Sequence, residues 1–157
     1  MKEQEKFMRE AIRLSKENVE SGNGGPFGAV VVKNGEIIAS GVNEVTAKND
    51  PTAHAEVVAI RKACKVLGSF QLEDCEIYCS CEPCPMCLGA IYWSRPARIF
   101  YANTKHDAAA IEFDDHFIYK ELDLAIHDRS LPTVQLLRNE AQVAFDSWKN
   151  SSIRTDY

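Results

Sequence analysis

The sequence lacks any long apolar run. Apolar stretches such as Phe27–Val32 and Leu88–Trp93 are only six residues each, whereas a membrane-spanning helix needs about 20 apolar residues. The first six residues are mostly charged and no apolar segment follows them, so no secretory signal is expected. We therefore expect a cytoplasmic chain with no membrane partner.

The sequence also lacks an excess of positive charge. Lysine and arginine number 18 against 23 aspartates and glutamates, which gives a net charge of −5 and a pI near 5.4. Proteins that bind nucleic acid mainly by neutralising phosphates are usually basic, so nucleic acid is not an expected partner. The 157 residues, 45% of them hydrophobic and 26% charged, are typical of one globular domain and exclude a disordered or fibrous chain.

The hydrophobic pattern alternates between strand and helix periods. An amphipathic helix is predicted at residues 3–20, with Phe7, Met8, Ala11, Ile12 and Val19 on its buried face. Asn34-Gly35 favours a tight hairpin between Phe27–Lys33 and Glu36–Gly41, because both positions accept a positive φ. A polar loop is expected at 42–51. Further predicted elements are helices at 52–67, Pro85–Ser94, Asp115–Leu122 and Glu140–Asn150, and strands at Glu76–Cys81, Ala97–Ala102 and Thr133–Leu137. This order predicts a single α/β domain with a sheet covered by helices.

The cysteines are crowded into one part of the chain. Of six, five lie between Cys75 and Cys87. In a reducing compartment a disulfide framework is not expected, so this crowding indicates metal or redox chemistry.

Two short motifs contain the residues expected to carry chemistry. Cys84 and Cys87, separated by two residues, can bind one metal ion, and His54 supplies a third ligand of the kind that zinc prefers. Three protein ligands leave one tetrahedral position open, where water becomes acidic enough to ionise near neutral pH. Glu56, beside this site, is predicted to be a proton shuttle and not a ligand. His-x-Glu followed by Pro-Cys-x-x-Cys is the pattern of zinc-dependent nucleobase deaminases.

Other interpretations of these residues stay open at this stage. Cys79 or Cys81 could add a fourth ligand, which would make a closed structural zinc site and leave Glu56 an ordinary helix residue. Cys84 and Cys87 could form a redox pair. Cys64, Cys75 and Cys79 are most simply buried small side chains.

Longer stretches around these motifs carry a resemblance. They are Gly25–Ala29, Asn49–Glu56, Ser80–Trp93 and Phe113–Asp115. With them the sequence resembles the cytidine deaminase superfamily, and within it the bacterial guanine deaminases. The resemblance implies a three-layer α/β/α fold with a mixed sheet of about five strands. It also marks one departure, because many members of the superfamily have another residue where Cys81 stands.

The resemblance implies a set of site residues. Zinc would be bound by His54, Cys84 and Cys87, and Glu56 would shuttle protons. Substrate contacts would come from the side chains of Asn43, Phe27, Asp115, Tyr157 and, as part of the narrower match, Trp93. Independently of the resemblance, the backbone N–H of Ala55 is a candidate anchor for a ring acceptor of the substrate. Tyr157 would reach the partner's site through exchange of residues 139–157 between the subunits of a homodimer.

The implied activity is hydrolytic deamination of guanine to xanthine and ammonia by a zinc-bound hydroxide, with one Zn²⁺ per subunit. The alternatives are a tRNA adenosine deaminase, a deaminase of cytosine or another small heterocycle, and a non-catalytic structural zinc module.

Overall fold

The computed structural model describes residues 2–157, which form two compact units that divide between Asp115 and His116. The elements of the first unit are α1 (Lys2–Glu20), β1 (Gly28–Lys33), β2 (Glu36–Val42), α2 (Val45–Lys48), α3 (Ala55–Leu67), β3 (Cys75–Cys81), α4 (Pro85–Ser94), β4 (Arg98–Asn103) and α5 (Lys105–Ala109). Those of the second are α6 (His116–Asp123), a 3₁₀ turn (Ile126–Asp128) and α7 (Arg138–Lys149).

The described strands form one mixed sheet in the order β2-β1-β3-β4. β1 pairs antiparallel with β2 and with β3, while β3 and β4 are parallel and connected by α4. The predicted hairpin between β1 and β2 is confirmed, and Asn34 and Gly35 have φ of 53° and 78°. The α/β prediction is thus confirmed, with four strands in the described chain where about five were expected.

The expected fifth strand at Thr133–Leu137 was wrong. The segment follows Pro132, which has no backbone N–H to donate to a ladder, and the Thr133 hydroxyl donates to the Leu131 carbonyl. Leu137 has φ of 52° and precedes α7. This turn-like backbone does not present the regular donors and acceptors of a strand, so its β-branched residues do not decide its structure.

The core is divided by the sheet. Successive strand residues point to opposite faces, so Val30 and Val32 of β1 pack with Phe7, Ala11 and Tyr78 on the α1 side. On the other side, the intervening residues Ala29 and Val31 pack with side chains of α3 and α4. The first unit therefore has helix, sheet and helix layers, and α3 and α4 lie on the same side.

The buried stripe of α1 is narrower than the sequence predicts. Its fully buried residues are Phe7, Ala11 and Asn18, while Ile12 and Val19 are 44% and 52% exposed. Spacings of four and seven residues keep one line of side chains against the sheet. The helix thus buries a polar residue at the end where the prediction had placed Val19.

The segment that leads into α3 also departs from prediction. A short helix, α2, occupies part of the expected loop, and α3 begins at Ala55 and not near residue 52. The Asp50 carboxylate accepts from both the backbone N–H and the hydroxyl of Thr52, which makes a turn and not a helix cap. Consequently His54, not Asp50, occupies the N-cap of α3.

The second unit contains no fully buried residue. Its helices and connecting segments expose large apolar side chains, among them Phe117, Leu131, Val134, Leu136, Leu137, Val143, Phe145, Trp148, Ile153 and Tyr157. Apolar surface this extensive in one segment is typical of a surface that another protein surface covers. None of the described helices is both long enough and apolar enough to cross a bilayer.

Candidate active site

Three potential metal ligands converge at the N-termini of α3 and α4. His54 is the N-cap of α3, Cys84 is the N-cap of α4, and Cys87 lies in the first turn of α4. Neither N-cap side chain makes a capping hydrogen bond, so both side chains are directed elsewhere. The imidazole nitrogen and the two sulfurs all lie within 4.8 Å of one another.

The spacing of these atoms fits a single zinc ion. His54 Nδ1 lies 3.6 Å from Cys84 Sγ and 3.5 Å from Cys87 Sγ. Zinc–nitrogen and zinc–sulfur bonds of ordinary length at a tetrahedral angle place nitrogen and sulfur about 3.6 Å apart. The donor set and its separations therefore match a tetrahedral zinc site with one position left for a ligand from outside the protein.

The local electrostatics favour a negatively charged sulfur at this position. Hydrogen bonds from Cys87 and then from His54 lower the pKa of Cys84 to about 4, against the opposing effect of burial. The same sulfur–sulfur hydrogen bond raises the pKa of Cys87, and the bond to Cys84 raises that of His54. Free backbone N–H groups at a helix N-terminus favour a thiolate for the same reason.

Glu56 places a carboxyl group beside the three ligands. It lies in the first turn of α3 and is only 8% exposed. Burial is the main cause that raises its pKa, and the charge of Cys84 adds to this effect, while the backbone and Cys87 hydrogen bonds lower it. A carboxyl group whose pKa is raised by burial can hold and release a proton closer to neutral pH.

Cys81 and Cys79 do not join the group of ligands. The Cys81 Sγ lies 3.6 Å from the Thr104 carbonyl oxygen, and burial raises its pKa to about 11. Cys79 is fully buried in the core between the sheet and α3, and burial raises its pKa as well. Among the described residues, the geometry therefore favours a three-ligand site over a closed one.

Two of the expected substrate-contact residues make defined contacts within the first unit. The Phe27 ring packs edge-on against Phe113, with ring centroids 5.0 Å apart. Asn43 is buried, and its Oδ1 accepts from the backbone N–H groups of Gly25 and Val45 at 3.4 and 3.3 Å. With Oδ1 used in this way, the Nδ2 group is the donor that remains for a substrate acceptor.

The other expected contacts are placed as follows. Ala55 is the first residue of α3, where backbone N–H groups have no helical acceptor. Asp115 is half-buried, and its burial is the main cause that raises its pKa. The charge of Cys84 raises this pKa further, which places Asp115 close to the ligands. Trp93 lies in the last turn of α4 with its ring largely exposed, and Tyr157 belongs to the second unit and is also exposed.

The sequence interpretation missed Asn18. Its Nδ2 donates to the carbonyl oxygens of Gly25 and Asn43, each at 2.9 Å. The available signal was spacing, because Asn18 lies seven residues after Ala11 and therefore on the same helix face. A polar residue on a buried stripe indicates a specific hydrogen-bond partner.

Comparison with known proteins identifies the class. Residues 1–103 match the family model described as the cytidine and deoxycytidylate deaminase zinc-binding region. The match covers α1 to β4 and includes all three proposed ligands and Glu56. The chain belongs to this family of zinc-binding deaminases.

Individual relatives narrow the comparison. The guanine deaminase of Bacillus subtilis is 57% identical over 98% of both chains, and its crystal structure superposes with a TM-score of 0.95 over the same share. A solved guanine deaminase from Nitrosomonas europaea is 34% identical, with a TM-score of 0.67 over 70% of this chain and 64% of that one. A tRNA-specific adenosine deaminase from Aquifex aeolicus is 41% identical over 70% of this chain and 74% of its own. Within the zinc-binding deaminases, the chain therefore belongs to the guanine deaminase family.

Proposed function

We propose that this chain catalyses the hydrolytic deamination of guanine to xanthine and ammonia. The observation that carries the proposal is the 57% identity with a guanine deaminase over 98% of both chains. That match includes the second unit, whereas the tRNA-specific relative covers 70% of the chain. The three-ligand group with a buried carboxyl beside it supplies what a hydrolytic deaminase needs.

His54, Cys84 and Cys87 would hold the zinc ion, one per subunit. When bound there, zinc supplies Lewis-acid activation of a water molecule. Glu56 would take a proton from that water through its carboxylate oxygen and pass it to a ring nitrogen of the purine while the water oxygen bonds to the amine-bearing ring carbon. It would then take the second proton from the hydroxyl group added to that carbon and deliver it to the exocyclic amine, so that the C–N bond breaks, ammonia leaves and the carbonyl forms; one residue would thus serve as base and acid in turn. Its burial excludes bulk water, which would otherwise compete for these protons.

The remaining site residues would bind and orient the purine. Phe27 stacks on the ring and Asn43 donates through Nδ2 to the purine carbonyl oxygen. The backbone N–H of Ala55 anchors a ring acceptor. Asp115, Trp93 and Tyr157 complete the recognition of the purine edge. The support for this arrangement is the hydrogen bonds of Asn43, the contact between the Phe27 and Phe113 rings, and the effect of the Cys84 charge on Asp115.

The functional form would be a homodimer in which residues 1–157 make one deaminase domain and residues 139–157 are exchanged between subunits. Supporting this proposal, the second unit buries none of its residues, and α7 exposes Val143, Phe145 and Trp148. A segment with this much apolar surface is stabilised when another copy covers it. Tyr157 would then act in the partner's site.

The proposed location is the cytoplasm. All six cysteines are free thiols, which is the state that a reducing compartment maintains.

The net charge of −5 favours a small-molecule substrate over nucleic acid.

The experiment that tests this function measures ammonia release. The zinc-loaded protein is incubated separately with guanine, adenine, cytosine, cytidine and a tRNA anticodon stem. We expect ammonia and xanthine in equal amounts from guanine, with much slower reactions of the other substrates. Preferred turnover of the tRNA stem would instead establish an RNA-editing enzyme, and no release from any substrate would establish a non-catalytic module.

A further inference from the structure

Asn18 lies where α1 meets the two segments that carry the proposed substrate contacts. The helix packs directly on β1: a Cβ added at Gly28 would lie 2.4 Å from the Ala11 carbonyl oxygen. Asn18 follows Ala11 by two helical turns on the same face and is 4% exposed. Asn18 therefore lies on the face of α1 that packs against β1.

The two hydrogen atoms of that amide are used by two different segments. One bond goes to the Gly25 carbonyl, two residues before Phe27, and the other goes to the Asn43 carbonyl. These acceptors are themselves connected, since the Gly25 N–H donates to Asn43 Oδ1 and the Asn43 N–H donates to the Phe27 carbonyl. Asn18, Gly25, Phe27 and Asn43 therefore form a closed hydrogen-bonded network.

We propose that Asn18 is a positioning residue that determines how well the site selects purines bearing a ring carbonyl. This inference rests on the proposed function. By holding both carbonyls, Asn18 fixes the backbone on which the Asn43 carboxamide and the Phe27 ring are mounted. Without the Asn18 amide the Gly25 carbonyl keeps the Phe27 N–H as a donor, whereas the Asn43 carbonyl loses the buried bond that holds it. A buried carbonyl without a donor is unfavourable, so the Asn43 segment shifts toward other partners. The Asn43 Nδ2 group then no longer meets the substrate oxygen.

The test compares Asn18→Ala with wild type in the zinc-loaded, full-length protein. Its readouts are KM and kcat for guanine, and the inhibition constants of hypoxanthine, which carries the carbonyl, and of unsubstituted purine, which does not. We expect Asn18→Ala to weaken the binding of hypoxanthine about three- to tenfold more than the binding of purine, which corresponds to one lost hydrogen bond. The KM for guanine should rise by a factor similar to that of the inhibition constant of hypoxanthine, and kcat should change less. The zinc content should stay at one per chain.

Phe7→Leu is the matched control, because it loosens the same helix at the end that packs against Tyr78. It should lower the melting temperature without altering the ratio of the two inhibition constants. If Asn18→Ala lowered the affinity for both inhibitors by the same factor, as a general destabilisation of the fold would, Asn18 would have only a structural role.

A second variant perturbs the same network from the other side. A Cβ at Gly24 would lie 2.2 Å from the Asn43 carbonyl oxygen, the atom that accepts from Asn18, so Gly24→Ala must displace that carbonyl without removing the Asn18 amide. The same selective loss of hypoxanthine is expected, and an unchanged ratio would contradict the inference. Wild-type protein that releases no ammonia from guanine would refute the proposed function itself, whereas active wild type with unaltered variant ratios would refute only the role of Asn18.

Discussion

Replacement of Glu56 by glutamine separates proton transfer from metal binding. The side chain is 8% exposed and adjoins the three ligands without belonging to their group. Glutamine has nearly the same shape and can fill the same space, but it cannot exchange a proton. A single general acid–base residue typically contributes about 10²- to 10⁴-fold in rate. Because Glu56 would transfer more than one proton in each turnover, we expect kcat to fall about 10⁴-fold.

The assay follows xanthine formation and ammonia release together with the zinc content of each variant. Glu56→Gln should retain one zinc per chain, because His54, Cys84 and Cys87 are unchanged. Glu36→Gln is the control: this carboxylate is exposed at the start of β2, and its removal should leave kcat unaltered. Turnover near the wild-type rate in Glu56→Gln would refute the proton-shuttle role, and loss of zinc would show that Glu56 is itself a ligand.

Three further predictions concern other parts of the chain. Cys81→Ser should keep zinc bound, since its sulfur lies against the Thr104 carbonyl; metal loss in elemental analysis would favour the closed site. Asp107→Ala should destabilise the protein most above about pH 4, because hydrogen bonds from Thr104 hold the pKa of Asp107 below its ordinary value of 3.8. That stabilisation is lost as pH falls through the lowered pKa, so a difference in melting temperature that is constant down to pH 2 would contradict it. Deletion of residues 152–157 should impair guanine turnover without changing the melting temperature. Mixing the deletion variant with the His54→Ala variant should restore activity. In the mixed dimer, the intact zinc site of the deletion variant would be served by the intact C-terminus of the His54→Ala subunit. No recovery after subunit exchange would argue against a tail that acts in the partner's site.

The features that sequence predicted best are those with a local cause. The hairpin follows from the conformations that Asn34 and Gly35 accept, and the bounds of α4 follow from Pro85 at its first position and the turn after Ser94. The ligand group was predictable because chemistry, not packing, restricts which residues can bind zinc. Their spacing within the motifs therefore carried the information.

The features that sequence missed depend on contacts between distant segments. Ile12 and Val19 continue the helical period of α1, yet the line of contact with the sheet runs through Asn18. The choice of a polar residue at this position of α1 depends on the positions of the Gly25 and Asn43 carbonyl groups. Those positions are determined by the pairing of β1 with β2. Thr133–Leu137 has β-branched residues, but the sheet of the described chain does not include it.

X-ray absorption at the zinc edge tests the central claim most directly. The account predicts two sulfur ligands at about 2.3 Å, with the remaining positions filled by nitrogen and oxygen. A shift in the non-sulfur ligands should follow addition of a competitive purine inhibitor, because one position is open to ligands from outside the protein. A third sulfur, such as that of Cys79 or Cys81, would close the site and contradict the assignment of this chain as a hydrolytic deaminase.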